Sequence, residues 1–223
     1  MLSKLGIRVL LAVCALVLAA TNLARAQGLG VSPYFGLGSA RDSVGTSVND
    51  GCPTGQIFDG VICEAGPTMG GLFGGFGVTV MFKKHLGVDG EYAFKIRRAP
   101  YLPNDSLVMR PTFYDLNAVW EPFSSKGRFI PFLEGGFGGA KIKLYFSQPT
   151  SLTGVTTTSG FSAGSDTSHF QLHGAIGMKV YIHGNLFAKP QFDIHYATHL
   201  TDEFGRNAVL QFMINVGYTF GQR

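Results

Sequence analysis

The segment from Phe170 to Leu200 constrains the fold of this chain more than any other. Apolar or small residues occupy alternate positions on both sides of a polar break at 183–185: Phe170, Leu172, Gly174, Ile176, Met178, Val180, Ile182, Leu186, Ala188, Pro190, Phe192, Ile194, Tyr196 and Leu200. Most positions between them carry polar or ionisable groups: Gln171, His173, Lys179, Tyr181, His183, Lys189, Gln191, Asp193, His195 and His199. Because successive side chains of a strand point to opposite faces, the pattern predicts a β-hairpin with one apolar and one ionisable face.

The length and the polarity of these strands indicate a membrane protein. Each arm exceeds the roughly 5–6 residues of a common soluble strand and reaches the ~9–11 residues that cross a bilayer at a tilt. The segment Leu86–Arg97 repeats the alternation, with Asp89, Glu91, Lys95 and Arg97 on one face and apolar groups on the other. A water-soluble barrel would not bury these charges while exposing the apolar groups. The sequence therefore predicts an all-β transmembrane barrel, polar inside and apolar outside.

The same alternation predicts about eight strands in an antiparallel up-and-down barrel. The expected strands are Val31–Ala40, Met69–Phe82, Leu86–Arg97, Leu107–Glu121, Phe129–Phe146, Phe170–Ile182, Leu186–Leu200 and Ala208–Phe220. A bulge is expected near Ala140, and the Ser-, Thr- and Gly-rich segment Gln148–Ser168 is predicted to be a flexible loop. Long loops follow the odd strands and short turns follow the even ones, so we expect the termini in the periplasm and the long loops outside the cell. The outward side chains of Phe82, Trp120, Tyr218 and Phe220 would then form the periplasmic aromatic girdle.

Residues 1–26 have the pattern of a secretory signal peptide. Lys4 and Arg8 form a charged region before an apolar run from Val9 to Ala20, and residues 24–26 form a small-x-small cleavage pattern. The run is too short for a spanning helix. We expect cleavage after Ala26, with an uncleaved anchor as the alternative.

Composition supports a single barrel domain over residues 27–223. Charged residues make up 14% of the chain, against about 25% in soluble domains. Three of the 18 basic residues lie in the leader, so the remainder carries 15 basic and 14 acidic residues. This near-neutral balance gives no reason to expect a nucleic-acid partner.

Two cysteines remain after cleavage, Cys52 and Cys63, and both lie in the first long loop. In an exported chain two cysteines this close are expected to form a disulfide. A metal site is the alternative, but no histidine lies in this loop to complete it.

The inward face of the predicted strands carries charges of both signs. The expected lumen network comprises Asp89, Glu91, Lys95, Arg97, Asp115, Glu134, Lys179, Lys189, Asp193 and His195. An eight-stranded barrel is only wide enough for its side chains to fill, so these charges must pair. We expect a plug of ion pairs, with an ion path through the lumen as the alternative.

Four histidines are expected near the outer rim: His169, His173, His195 and His199. Imidazole nitrogens suit zinc, copper or nickel. Because spacing alone does not fix ligand geometry, ordinary polar lining is the favoured interpretation, and neither a metal nor another cofactor is predicted.

Beyond residue patterns, the chain resembles the superfamily of small outer-membrane β-barrels that contains the OmpA- and OmpX-like proteins. The resemblance rests on the leader, the opening VSPYFGLG at 31–38, PFLEGGFGG at 131–139 and the closing VGYTF at 216–220. In that family the insertion machinery reads an aromatic residue at the end of the last strand. Phe220 fits this role, although residues 221–223 extend beyond it.

An enzymatic alternative comes from a similarity to lipid A deacylases, which carry His-x-Ser-Asn near the outer end of a late strand. Here His199 is followed by Thr201 and Asp202, where that family has Ser and Asn, and Glu203 is the nearest candidate for the orienting acid. No catalytic residue is predicted on this basis.

The function expected from the sequence is structural or surface-interactive, in a monomeric protein integral to the outer membrane. The expected partners are outer-membrane lipid and lipopolysaccharide, the barrel-insertion machinery and a surface partner at the outer loops. A narrow porin-like channel is the second hypothesis and lipid A deacylation the third.

Overall fold

The computed structural model describes residues 29–42, 57–58, 61–62, 68–100, 107–123, 127–152, 155–198 and 207–221. For residues 42, 57–58, 61–62, 146–152 and 155–165 the structure describes the backbone alone. The signal peptide, both loop cysteines and residues 199–206 lie outside these ranges.

Eight long strands form the protein, and we number them along the chain. They are β1 (Gly30–Asp42), β2 (Gly71–Met81), β3 (Leu86–Lys95), β4 (Leu107–Trp120), β5 (Phe129–Leu152), β6 (Val155–His183), β7 (Leu186–Ala197) and β8 (Ala208–Tyr218). Each strand pairs antiparallel with the next, and β8 pairs with β1 from Tyr34↔Gly217 to Asp42↔Val209. The expected up-and-down barrel of eight strands is confirmed.

In the part of the chain that the structure describes, four two-residue strands accompany the barrel. Ile57–Phe58 pairs with Val61–Ile62 within the first long loop. Ala99–Pro100 pairs with β4, and Phe220–Gly221 pairs with the start of β1. The barrel end that holds the three short turns and residues 29 and 221 is called the turn end below, and the opposite end the loop end.

The outer wall of the barrel is apolar. Large exposed side chains along it include Phe35, Leu37, Phe76, Leu116, Phe137, Ile176, Phe192, Ile194, Leu210 and Ile214. Charged groups at the same levels face inward, among them Asp89, Lys189 and Asp193. The transmembrane polarity expected from the alternation is therefore confirmed, because only hydrocarbon makes this outer face favourable. Among the described residues no helix has the length and apolarity that a membrane span requires.

Aromatic side chains surround the turn end. Phe82, Trp120, Phe129 and Tyr218 are exposed there, and the Tyr218 and Phe220 ring centroids lie 4.9 Å apart. Such amphipathic rings are enriched where hydrocarbon meets the headgroup region. Their position agrees with the girdle expected at this end.

Two expectations about β5 and β6 are wrong. The pairing of β5 with β4 runs through Ala140 without a shift, and the irregularities on the β6 side fall at Lys143/Tyr145 and Gln148/Pro149 instead. The segment Gln148–Ser168 is not a loop, because β5 continues to Leu152 and β6 begins at Val155. Threonines 156–158 explain part of this difference, since β-branched residues favour strands even in a polar segment.

Inward glycines make room for inward aromatic rings. A Cβ added to Gly77 would lie 2.4 Å from the Tyr34 hydroxyl, and one added to Gly177 would lie 2.4 Å from Cζ of Phe132. The absent side chain at each site is what lets a large neighbour cross the narrow bore. These glycines therefore serve lumen packing as well as the curvature of the sheet.

The apolar wall predicts a position-dependent cost for an added charge. Phe192, at the middle of β7, and Phe123, in the turn after β4, are both 63% exposed. Phe192→Arg should lower the free energy of unfolding by about 2–4 kcal/mol, the cost of Arg on a lipid face at mid-bilayer. Phe123→Arg should change it by less than about 1 kcal/mol, because Phe123 lies outside the strands.

The measurement is urea unfolding of each refolded variant in lipid vesicles. Equal, small effects at the two positions would contradict a lipid-facing wall.

Candidate functional site in the barrel lumen

Lys189 lies at the centre of the bore, and carboxylates and aromatic rings surround it. Its Nζ lies 2.9 Å from Oε1 of Glu134 and 3.7 Å from Oδ1 of Asp89. The same ammonium lies 4.3 Å from the ring centroid of Tyr34 and 4.7 Å from that of Phe132. Two carboxylates and two π-faces thus compensate one fully buried cation, as a desolvated charge requires.

Hydrogen bonds hold the Asp89 carboxylate against this cation. The Tyr34 hydroxyl donates to Oδ2 of Asp89 at 2.6 Å, and the Thr79 hydroxyl donates to Oδ1 at 2.5 Å. Asp89 on β3 is therefore fixed from β1 and β2 as well as from Lys189 on β7. The interaction spans the bore and ties non-adjacent strands together.

A second ion pair lies closer to the turn end. Nζ of Lys179 lies 2.8 Å from Oε1 of Glu121, and both side chains are buried. Below it, Thr219 Oγ1 lies 3.0 Å from the hydroxyls of both Ser32 and Tyr181. This layer adds neutral and charged hydrogen bonds towards the turn end of the bore.

Towards the loop end the bore becomes acidic and imidazole-rich. The Gln191 amide donates to Glu91 at 3.0 Å and to Asp193 at 2.8 Å. Above these groups the rings of His173 and His195 stack with centroids 4.8 Å apart. The arrangement brings together side chains from β3, β6 and β7 and can bind a cation or retain a proton.

An apolar lid, which was not predicted from the sequence, closes the bore at the loop end. It consists of Ala40, Met69, Phe73, Ala93, Met109, Phe113, Ala140, Ile142, Ala197, Val209 and Met213. The Phe73 and Phe113 rings stack with centroids 5.7 Å apart, and Phe113 also stacks on His195 at 4.3 Å. The alternation within each strand could have predicted these positions. Phe113 lies on the same inward face as Asp115, and Phe73 lies on the same inward face as Thr79.

The structure brings most of the predicted lumen residues together. Buried inside the bore are Asp89, Glu91, Lys95, Asp115, Glu134, Lys179, Lys189, Asp193 and His195. Lys95 lies near the loop end, where Nζ donates to the Thr68 carbonyl at 3.4 Å. Arg97 was wrongly assigned: β3 ends at Lys95, and Arg97 is exposed in the bend that follows.

Several residues of the lumen were not predicted to belong to the site. The neutral groups Asn117, Gln171, Gln191 and Gln211 are buried and hydrogen-bonded to charged or imidazole neighbours. Glu121 was not included in the expected lumen network, although it is buried and pairs with Lys179. Of the four histidines, His173 and His195 meet, His169 is half-buried on β6, and His199 lies outside the described residues.

Basic side chains surround the outer wall at the loop end. Arg41 and Lys143 are exposed there, and Arg110 lies over the Phe94 ring at 4.9 Å. Lys141 and Asp166 form an exposed pair 2.8 Å apart; its hydrogen bond raises the pKa of Lys141 and lowers that of Asp166. Above the apolar wall, the described surface is therefore predominantly cationic.

Removing the Lys189 ammonium should destabilise the protein, because buried carboxylates would then lack a counter-charge. Lys189→Met removes the ion-pair partner of both Glu134 and Asp89, so the free energy of unfolding should fall by about 3–5 kcal/mol. Lys189→Met/Glu134→Gln should recover part of this loss, because one of the two unpaired carboxylates is removed. Lys83→Met, in the exposed turn after β2, is the control and should be nearly neutral. Urea unfolding in vesicles measures all three; equal stabilities of Lys189→Met and Lys83→Met would contradict the network.

Comparisons with known proteins bear on the fold alone. No protein-family model matches the chain, and no curated protein matches its sequence. Solved structures do match, and among them are small outer-membrane barrels.

Two of these structures superpose over most of the chain. Ail, the attachment invasion locus protein of Yersinia pestis in complex with the heparin analogue sucrose octasulfate, has a TM-score of 0.50 and 15% identity, covering 86% of this chain and 99% of Ail. The outer membrane protein OprG of Pseudomonas aeruginosa has a TM-score of 0.50 and 14% identity, covering 87% of this chain and 96% of OprG. The chain is therefore a transmembrane β-barrel with the fold of the small eight-stranded outer-membrane barrels, the OmpA- and OmpX-like class.

Proposed function

We propose that this protein is a closed outer-membrane barrel whose role is structural and surface-interactive rather than that of a channel. The observation that carries the proposal is the double closure of the bore. Ion pairs fill its centre, and the apolar lid containing Phe73 and Phe113 covers its loop end. An aqueous path would need to cross both layers, and an eight-stranded barrel has little width to spare.

The proposed orientation places the loop end outside the cell. The long hairpin of β5 and β6 then extends above the membrane, as longer extracellular loops do in this class of barrel. Export through the signal peptide at 1–26, insertion by the barrel machinery at Phe220 and a disulfide between Cys52 and Cys63 belong to the same proposal. A surface partner would bind this hairpin or the neighbouring loops.

We propose the anionic headgroup of lipopolysaccharide as a ligand of the loop-end basic groups. Arg41, Arg110 and Lys143 lie on the outer wall just above the apolar band, where outer-leaflet phosphates would lie. An apolar groove of about 710 Å³ below Arg41 is lined by Ile176, Ile194, Leu210 and Phe212, among others, and could accept an acyl chain. Sucrose octasulfate, the ligand in the Ail complex, is likewise an anion bound to a protein of similar fold.

A catalytic role has less support. The residues of the deacylase-like pattern, His199 to Glu203, lie outside the described residues. The narrow-pore hypothesis requires the lid to open, and no described feature provides a second path.

Single-channel recording in planar bilayers tests the closed bore. The wild-type protein should give no stable current steps. Phe73→Ala/Phe113→Ala combined with Lys189→Ala/Glu134→Ala and Lys179→Ala/Glu121→Ala should give steps, because the lid and both buried ion pairs are then removed. Phe137→Ala/Phe170→Ala, which removes two lipid-facing rings at about the level of the lid, is the control and should give no current steps. Regular steps from the wild type would establish a pore instead.

Lipid dependence of thermal stability tests the headgroup proposal. The wild-type unfolding temperature should rise when lipid A bisphosphate is added to the micelles, since charge-assisted contacts to phosphate form only in the folded state. Arg41→Gln/Lys143→Gln should lose at least half of that rise. Lys83→Gln/Lys84→Gln, at the turn end, should keep it. An equal rise in all three proteins would exclude a loop-end phosphate site.

A further inference from the structure

Four potential metal ligands converge in the bore between the central ion pairs and the lid. They are Asp115 on β4, His173 on β6, and Asp193 and His195 on β7. One ligand atom from each of Asp115, His173 and His195 lies within 4.8 Å of the other two. In addition, Nε2 of His173 lies 3.4 Å from Oδ1 of Asp193, and Nδ1 of His195 lies 3.7 Å from Oδ2 of Asp115.

Neighbouring amides fix which imidazole nitrogens remain available. Nδ1 of His173 donates to Oδ1 of Asn117 at 2.9 Å, and Nε2 of His195 donates to Oε1 of Gln211 at 2.9 Å. The other nitrogen of each neutral ring therefore carries a lone pair directed into the cluster. Neither of these two nitrogens has a hydrogen-bond donor or acceptor among the described residues, and both rings are buried. Outer hydrogen bonds of this kind orient histidine ligands in metal sites.

The cluster lacks a cation. Among the described residues, six buried carboxylates share the bore with three buried lysines. Lys179 and Lys189 pair with Glu121, Glu134 and Asp89, and Lys95 lies near the loop end. In the cluster itself, the imidazole lone pairs face carboxylate oxygens, and the donors to these carboxylates are the neutral amides of Gln191 and Gln171. A positive charge at this point would turn a repulsive contact into a favourable one.

We propose that Asp115, His173, Asp193 and His195 bind one divalent transition-metal ion, with zinc as the best match. Two imidazole nitrogens and two carboxylate oxygens form a four-ligand set that zinc accepts, whereas calcium and magnesium prefer oxygen alone. Tetrahedral bonds of about 2.0–2.2 Å place neighbouring ligand atoms about 3.4 Å apart. The separations of 3.4 and 3.7 Å in two of the ligand pairs are close to this value. The ligand atoms of Asp115, His173 and His195, which lie within 4.8 Å of one another, would move closer together by side-chain rotation when the ion binds.

The ion would act as a structural cross-link. It joins β4, β6 and β7 across the bore and supplies the charge that the acidic upper lumen lacks. The Phe113 ring covers His195 at 4.3 Å, so the lid separates the site from the loop end. The ion should therefore enter during folding and exchange slowly afterwards, as in closed structural sites.

Zinc retention after refolding tests the proposal. The full mature chain is refolded in detergent with one equivalent of Zn²⁺, dialysed against EDTA and analysed for bound metal by mass spectrometry. The wild type should retain about one ion per chain, and His173→Gln and His195→Gln should each retain at least tenfold less. His183→Gln, which changes an exposed histidine at the end of β6, should retain zinc like the wild type.

Cobalt substitution keeps the test decisive if a variant fails to refold. The wild type refolded with Co²⁺ should show the intense visible absorption of a tetrahedral site with nitrogen and oxygen ligands. A wild-type protein that refolds fully, retains no zinc and shows no such band would overturn the proposal, with a proton on an imidazole then serving as the cation. Zinc retention that is unchanged in His173→Gln and His195→Gln would likewise overturn it.

Discussion

Closure of the sheet on itself is the constraint on which the rest of the structure depends. Hydrocarbon offers no hydrogen bonds, so a strand edge exposed to lipid would leave its backbone groups unpaired. Pairing of β8 with β1, from Tyr34↔Gly217 to Asp42↔Val209, removes that edge. Closure at eight strands also fixes a narrow bore, and the narrow bore forces the inward side chains to satisfy one another.

The side chains in the lumen form successive layers along the barrel axis, and each layer has a different chemical character. Lysine–carboxylate pairs lie at the centre and towards the turn end, imidazoles and acids lie above them, and an apolar lid finishes the loop end. Inward glycines such as Gly77 and Gly177 offset the volume of Tyr34 and Phe132. Each layer connects strands that are not neighbours in the sheet. The bore is therefore a packed core that uses polar contacts where a soluble protein uses apolar ones.

Sequence alternation predicted the wall well because the side-chain period of a strand is two residues and lipid selects one face. It placed Asp89, Lys189 and Asp193 inside and Phe192 outside without any knowledge of pairing. It did not identify the lid, although the alternation places Phe73 and Phe113 on the inward face. It also assigned Arg97 to the lumen, because the end of β3 at Lys95 cannot be read from the alternation. It also failed for Gln148–Ser168, where a polar composition concealed a continuing hairpin. Which charges pair depends on strand register and stagger, and these are not readable from a single strand.

The direction of the isoleucine side chains tests the central claim most directly. Ile176, Ile194 and Ile214 are exposed on the wall, whereas Ile130 and Ile142 are buried in the bore. Magnetisation transfer from lipid acyl-chain protons to methyl groups of the bilayer-embedded protein distinguishes the two sets. We expect transfer to the methyl groups of Ile176, Ile194 and Ile214 and none to those of Ile130 and Ile142. Transfer to Ile130 and Ile142 with none to Ile176 would contradict it.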